Sequence, residues 1–259
     1  MSDKKISAIV PAYNEEKTVG KVLDVLTSSN IPDEIICVND GSTDNTLNEI
    51  KKYTEDVVII DIGENKGKGN ALAEGIKKAK GDILLFLDAD FTNLKTIHIE
   101  TILKPILNNE CRVVIGYQYN RYTFSKSSSD ISGQRVYYKK DLLPYLNEMA
   151  KTRFGVETYL NSIFPKEDTK KIKLENLTTL YKYEKYAPPL ALREYIKEGI
   201  EIARVIGNRR VLPKSDFKIL RELENITDFR ELQRKIQEIS DTELKDILEK
   251  YILRYIKRL

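Results

Sequence analysis

The chain has 259 residues, of which 41% are hydrophobic and 32% charged, enough for one large domain, or one domain with a small appendix. Its 43 basic and 40 acidic residues leave a net charge of only +3, which argues against a nucleic-acid partner because such binders concentrate basic charge on one face. The N-terminus runs from Met1 to Lys5 straight into an apolar segment without a signal-peptide pattern, and the longest apolar stretch, Ile83–Leu87, falls far short of the roughly 20 residues a membrane span needs. A cytoplasmic location is therefore expected, with Cys37 and Cys111 as buried thiols that lack metal-ligand spacing.

The first half alternates strand and helix patterns. Ile6–Val10 is a β-rich run that stops at Pro11, and Asn14–Leu26 reads as a helix with Val19, Val22, Leu23 and Leu26 on one face. Glu34–Val38 is a second strand, followed by a turn at Asn39–Ser42 and a short helix that Ser42 or Thr43 would cap. Val57–Ile60 is a third strand, Gly67–Lys80 a third helix, and Ile83–Leu87 a fourth strand, apolar on both faces as central strands of a parallel sheet are. Arg112–Tyr117 suggests another strand, 122–133 a mobile polar loop, Tyr138–Ala150 and Phe154–Phe164 helices, and Ile172–Thr179 a further strand. From Pro188 onward the pattern is helical, with breaks at Asn225–Asp228 and Ser240. Ser240 and Glu243 fit a capping box ahead of an apolar stripe of Leu244, Ile247, Leu248, Tyr251, Ile252, Tyr255 and Leu259. The expected fold class is α/β, doubly wound, with residues 1–212 as the main domain and 213–259 as a helical C-terminal appendix.

In such sheets ligands bind beyond the carboxyl ends of the strands, so four strand-end segments hold the chemistry. Asp88 and Asp90 leave the buried fourth strand one residue apart, and two carboxylates so placed suit Mg²⁺ or Mn²⁺ shared with phosphate oxygens, where an ordinary loop would make them a solvated turn. Pro11–Glu16 lies at the first strand-to-helix turn, where Tyr13 offers a face for a base and Glu15 an acceptor for ribose hydroxyls; the alternative is a helix start decorated with acids. Asp40 could accept from the ring N–H of a base, or simply build an Asx turn. Glu64–Ala71, with two glycines and two lysines opening a helix, suits a phosphate, or is a solvated basic loop.

Taken in order, Pro-Ala-Tyr-Asn-Glu-Glu, Asn-Asp-Gly-Ser-Thr-Asp, Asn-Lys-Gly-Lys-Gly-x-Ala and Leu-Asp-Ala-Asp closely resemble glycosyltransferase family 2, over about residues 5–120. The resemblance implies the GT-A fold, a Rossmann-like, mixed but mainly parallel sheet sandwiched by helices. It also implies that Pro11, Ala12, Tyr13, Glu15, Asp40, Lys68 and Asp88 hold the nucleotide of a nucleotide-sugar donor (UDP favoured, GDP an alternative), with Asp88 and Asp90 as the metal motif. Ser132-Gly133-Gln134-Arg135 and Phe154-Gly155-Val156-Glu157, with His98-Ile99 and Lys104-Pro105, resemble a narrower group, the glucosyl-3-phosphoglycerate synthase-like transferases. Carried over, Gly133 and Arg135 contact a small acidic acceptor and Glu157 lies by sugar and acceptor, joining Asp90 as a catalytic residue. Arg135 could clamp a phosphate or carboxylate bidentately, or be a surface arginine; Glu157 could be a base, a sugar-hydroxyl acceptor or a first-turn acid.

One departure stands out. Relatives carry a metal-ligating histidine where this chain has Thr179, and its sole histidine, His98, reads as structural. Three outcomes stay open: a soluble hexosyltransferase using a phosphorylated acceptor, a transferase acting on a polyprenyl phosphate at a membrane surface through the C-terminal helices, and a nucleotide-sugar-binding homologue with little turnover. The apolar C-terminal stripe would otherwise pack on the main domain or across a homodimer.

Overall fold

The structure, a computed structural model, describes residues 4–118, 130–180, 182–207, 212–223, 225–226, 228–249 and 252. Two compact units divide the chain: Met1–Arg153 with Leu160–Leu180, and Phe154–Tyr159 with Tyr181–Leu259.

The first unit opens with β1 (Ile6–Ala12), α1 (Val19–Ser29), β2 (Glu34–Asn39), α2 (Thr46–Lys51), β3 (Val57–Asp61), α3 (Lys68–Lys78), β4 (Ile83–Phe86), α4 (Thr96–Leu107) and β5 (Val113–Gln118). Then come β6 (Arg135–Tyr138), α5 (Lys139–Leu142), α6 (Leu146–Met149) and β7 (Thr169–Leu174), while α7 (Val156–Ile163) is divided, with residues 156–159 in the second unit and 160–163 in the first. One sheet takes all seven strands in the order β3-β2-β1-β4-β6-β5-β7. β1, β2, β3 and β4 are mutually parallel, β5 and β7 are parallel to each other, and β6 runs antiparallel to both β4 and β5. The result is the mixed, mainly parallel α/β sheet expected.

Side-chain alternation explains the layering. Ala8, Val10 and Ala12 of β1, with Ile83 and Leu85 of β4, join one core with Val19, Val22, Leu23 and Leu26 of α1 and Ile99, Ile102, Leu103 and Ile106 of α4. The opposite sheet face meets α3, which packs on β1 and β2. β4 is covered on both faces: its four residues are at most 1% exposed, and full burial of each such side chain contributes about 1.5–3 kcal/mol.

Several boundaries moved, for identifiable reasons. α1 begins at Val19 rather than near Asn14, because Asn14 has φ 54° and the left-handed backbone there breaks the helix before it starts. α2 begins at Thr46, whose N–H donates to Asp44 Oδ1 at 2.9 Å, so Asp44 serves the helix start instead of Ser42 or Thr43. Tyr138–Ala150 is a broken run of short helices. β6, which the sequence pattern did not suggest, takes up the residues just before it. Most of the 122–133 loop lies outside the described residues.

The second unit contains α8 (Lys182–Lys185), α9 (Pro188–Gly207), α10 (Lys214–Leu223), α11 (Phe229–Gln237) and α12 (Thr242–Leu248). Leu244, Leu248 and Ile252 of the expected stripe are fully buried, and Gly199 of α9 lets Ile252 and Leu248 approach closely; Tyr251, Tyr255 and Leu259 lie outside the described residues. The cap of α12 is Asp241, which accepts from the Leu244 N–H at 2.8 Å, not Ser240. Ser240 and Asp241 instead donate their own backbone N–H groups to the buried Asp216 carboxylate, at 3.0 and 2.8 Å. Among the described residues no helix is long and apolar enough to cross a membrane.

Candidate active site at the switch point of the sheet

The strand order makes the site's location a matter of topology. From β1 the chain winds outward through β2 to β3, then returns to place β4 on the other side of β1. The carboxyl ends of β1 and β4 therefore flank a topological switch point, where the connections leave in opposite directions and a crevice opens.

The turns above it are stitched together by side chains acting on backbone. Asn14 Oδ1 accepts from the Thr43 N–H at 2.8 Å, Thr46 Oγ1 accepts from the Glu15 N–H at 2.7 Å, and Glu16 accepts from the Asn45 N–H at 2.9 Å. Glu15 itself accepts from the Thr18 hydroxyl at 3.0 Å. The Asp40 N–H donates to the Ala12 carbonyl at 2.9 Å, and its buried carboxylate accepts the Lys66 and Gly67 N–H groups, both at 2.8 Å. Asp40 thus ties the β3–α3 loop to the end of β2. Gly67 is required in that loop: its φ is 93°, and a Cβ would collide with the Arg153 backbone.

That anchoring aims Lys68 at Asp88 of the Asp-x-Asp. Lys68 Nζ lies 2.5 Å from Asp88 Oδ1, with side-chain exposures of 16% and 24%. The next neighbour arrives from the segment before β6, where Gly133 passes so close that a methyl group would collide with both Asp88 oxygens and with Lys68 Nζ. The chain of contacts therefore runs from Ala12 through Asp40, Gly67, Lys68 and Asp88 to Gly133, joining residues from five segments at one strand-end surface. Pro11 and Tyr13 flank Ala12 at the end of β1, both half-buried.

Thr179 is also drawn to this edge. Phe91 and Thr179 pair as an antiparallel bridge, and the Leu180 N–H donates to the Asp90 carbonyl at 3.0 Å. Asn93 secures the same segment, accepting from the Thr178 N–H and donating to the Asn176 carbonyl, both at 2.8 Å. A threonine thus sits beside the Asp-x-Asp where the family resemblance places a histidine. His98 is structural as expected: Nδ1 accepts from the Lys95 N–H at 3.1 Å and Nε2 lies 3.0 Å from the Glu175 carbonyl. Those partners select the neutral tautomer protonated at Nε2.

Arg135 differs from the open clamp expected for an acceptor. It is 1% exposed, and its guanidinium donates to Ser132 O (2.7 Å), Asp130 O (2.8 Å), Asn161 Oδ1 (2.7 Å) and the Tyr137 hydroxyl (3.1 Å). A buried guanidinium needs such partners, and here it braces the segment that carries Gly133. Glu157, 4% exposed in the first turn of α7, belongs to the second unit. Sequence reasoning missed Gln134, whose Nε2 donates to Asp88 Oδ2 at 2.6 Å. The signal was present in the Gly-Gln-Arg-Val order, had Val136-Tyr137-Tyr138 been read as a strand.

Oxygen donors on a rigid strand end suit a hard divalent cation. Among the described residues no group of three or more His, Cys, Asp or Glu could hold a metal, and Asp88 and Asp90 are the oxygen donors at this strand end.

This chain belongs to glycosyltransferase family 2, whose profile matches residues 7–173. Among curated relatives it is 36% identical over 103 residues to the 4,4'-diaponeurosporenoate glycosyltransferase of Staphylococcus aureus (39% of this chain, 28% of that protein). It is 44% identical over 88 residues to the poly-beta-1,6-N-acetyl-D-glucosamine synthase of Staphylococcus aureus (33% of this chain, 21% of that protein). The chain thus spans about a quarter of the length of these relatives. In fold it is similar to glucosyl-3-phosphoglycerate synthase from Mycobacterium tuberculosis. The complex of that enzyme with Mn²⁺ and UDP-glucose superposes with a TM-score of 0.64 at 20% identity, covering 83% of this chain and 82% of the other. Its complex with Mn²⁺, UDP and phosphoglyceric acid gives 0.61 at 19% identity, covering 83% and 81%.

Proposed function

We propose that this protein transfers a hexose from a nucleoside-diphosphate sugar, UDP-linked in preference to GDP-linked, to a small acidic acceptor bearing a phosphate. The observation that carries the reading is the meeting of Lys68, Asp88 and Gly133 at the switch point of the sheet. Pro11, Ala12, Tyr13 and Glu15 take the nucleoside, and Asp40 holds the loop that receives the diphosphate. Lys68 sits where negative charge develops as the nucleoside diphosphate leaves, and a preorganised cation there lowers the barrier.

Asp88 and Asp90 are the residues that would hold Mg²⁺ or Mn²⁺, which when bound neutralises charge on the diphosphate. The fold neighbour's complexes with Mn²⁺ and UDP-glucose, and with phosphoglyceric acid, support both the metal and the acceptor class. Glu157 is the side chain assigned to the acceptor hydroxyl, as base or orienting group. Gly133, whose lack of a side chain lets its segment close on Asp88 and Lys68, lies at the acceptor side, and Arg135 serves that side through the segment it braces. A thermal-shift panel of UDP-, GDP- and ADP-sugars with and without Mn²⁺ tests the donor. Stabilisation by UDP-sugars that grows with Mn²⁺ is expected by mass action, and no shift with any sugar nucleotide would overturn the reading.

A second reading, donor binding with little turnover, is favoured by one observation: Thr179 occupies the position beside Asp90. Release of UDP from UDP-glucose in the presence of Mn²⁺ and 3-phosphoglycerate rejects it.

A further inference from the structure

The Asp88 carboxylate is held at both oxygens. Lys68 Nζ meets Oδ1 at 2.5 Å, and Gln134 Nε2 donates to Oδ2 at 2.6 Å. Gln134 is 3% exposed, so its amide is fixed by what surrounds it. The NH₂ group must face Asp88, since the reverse orientation would set two acceptors against each other. Oε1 is then left to accept, and the Ser132 hydroxyl donates to it at 2.6 Å. That single hydroxyl proton is shared with the Gly116 carbonyl in β5, while the Gly116 N–H donates to the Gln134 carbonyl at 2.8 Å. The side chain is thus fastened at its acceptor end to Ser132, and its backbone to β5. Its one free function is to present N–H to Asp88.

We infer that Gln134 is a positioning residue that sets the plane of the Asp88 carboxylate. An ionised carboxylate has about four acceptor sites. Lys68 and Gln134 take one on each oxygen, and the two that remain are held in fixed directions for a divalent cation. Gln134 acts through Asp88, to which it donates, as outer-shell partners of metal ligands do. This inference rests on the transferase reading above.

The test is Mn²⁺ binding to the UDP-saturated full chain, read by the electron paramagnetic resonance signal of free Mn²⁺. The proteins compared are the wild type, Gln134→Met, Gln134→Glu, Asp88→Asn and the double variant Asp88→Asn/Gln134→Met. Gln134→Met keeps the length and removes the donor; it is expected to weaken Mn²⁺ binding about 10–100-fold, with UDP affinity in the absence of metal unchanged. Gln134→Glu, which sets a second carboxylate against Asp88, is expected to bind Mn²⁺ at least as weakly. In the Asp88→Asn background the Gln134→Met change should add nothing, because residues acting through one group are not additive. Wild-type Mn²⁺ affinity in Gln134→Met, or the full loss repeated in the Asp88→Asn background, would overturn the inference. If the wild type itself binds no Mn²⁺ with UDP, the transferase reading fails. A crystal structure of ligand-free Gln134→Met then decides the positioning role: a turned Asp88 carboxylate supports it and an unmoved one refutes it.

Discussion

The Lys68 ammonium and the Asp88 carboxylate meet at 2.5 Å, the one at the start of α3 and the other just past the end of β4. An exposed ion pair of this kind contributes little, typically about 0–1 kcal/mol. This one is mostly shielded, and its partners are fixed before they meet. Lys68 follows a loop clamped by Asp40, and Asp88 follows a strand buried on both faces. The geometry is therefore set by the fold, and the pair adds charge placement more than stability.

Replacing Lys68 by Met removes that charge while keeping the side chain's bulk. Under the proposed function, kcat/KM for the donor should fall about 10²–10³-fold, the range seen when one preorganised donor to developing negative charge is lost. Steady-state kinetics with varied UDP-glucose measures it. A variant as active as the parent would remove Lys68 from the reaction.

Gly133→Ala tests the crowding around the motif. The added methyl collides with Asp88 and Lys68, and overpacking of this sort costs about 1–3 kcal/mol. The expected result is a folded protein with a modestly lowered Tm and loss of metal-dependent donor binding by calorimetry. Full retention of binding would show that the segment shifts aside without consequence.

Thr179→His places an imidazole next to the Asp-x-Asp, on a segment already fixed by the Phe91 bridge and by Asn93. If the pair Asp88 and Asp90 binds Mn²⁺ with too few protein ligands, the variant should bind it at least tenfold more tightly, roughly 1.4 kcal/mol. A manganese titration of the UDP complex reads this out, and unchanged affinity would mean that the position does not face the ion.

Asp216 supplies a pH prediction for the second unit. Burial pushes its carboxyl up, but the N–H groups of Ser240 and Asp241, with the hydroxyls of Ser240 and Ser215, pull it further down, and the net is below the ordinary value. A group depressed in the folded state contributes stability that is present above its unfolded value of about 3.9 and is lost as pH falls through the folded value. Asp216→Asn should therefore destabilise the protein at pH 7, by about 1–3 kcal/mol for the weakened bonds to the two N–H groups. The gap in Tm between variant and wild type should narrow on acidification below pH ~4. Thermal unfolding at pH 7 and pH 3 checks it; a gap that widens in acid would contradict the assignment.

What was legible in the sequence was whatever local pattern decides. The buried runs at Ile6–Val10, Glu34–Val38 and Ile83–Leu87 name their strands, and the Asp-x-Asp follows the last of them. What was not legible depends on partners far along the chain. β6 begins with an arginine, which locally argues against a central strand; it is tolerated because Asp130, Ser132, Tyr137 and Asn161 absorb its donors. Gln134 carries no signal of its own until Asp88 is beside it. At α12, Ser240 and Asp241 are equally good caps by type, and Asp216 decides between them by holding the Ser240 hydroxyl as well as its N–H, which leaves the Asp241 carboxylate to cap.

The placement of β6 between β4 and β5 also bears on how the protein is made. β4 pairs with β1 on one side as soon as both have been synthesised, but its other side must wait for Arg135–Tyr138, more than forty residues later. Until then a growing chain on the ribosome carries an unpaired edge of Ile83, Leu84, Leu85 and Phe86, the kind of strand that invites aggregation with its neighbours. Fragments ending before Arg135 should for that reason be insoluble, however complete their donor-side loops.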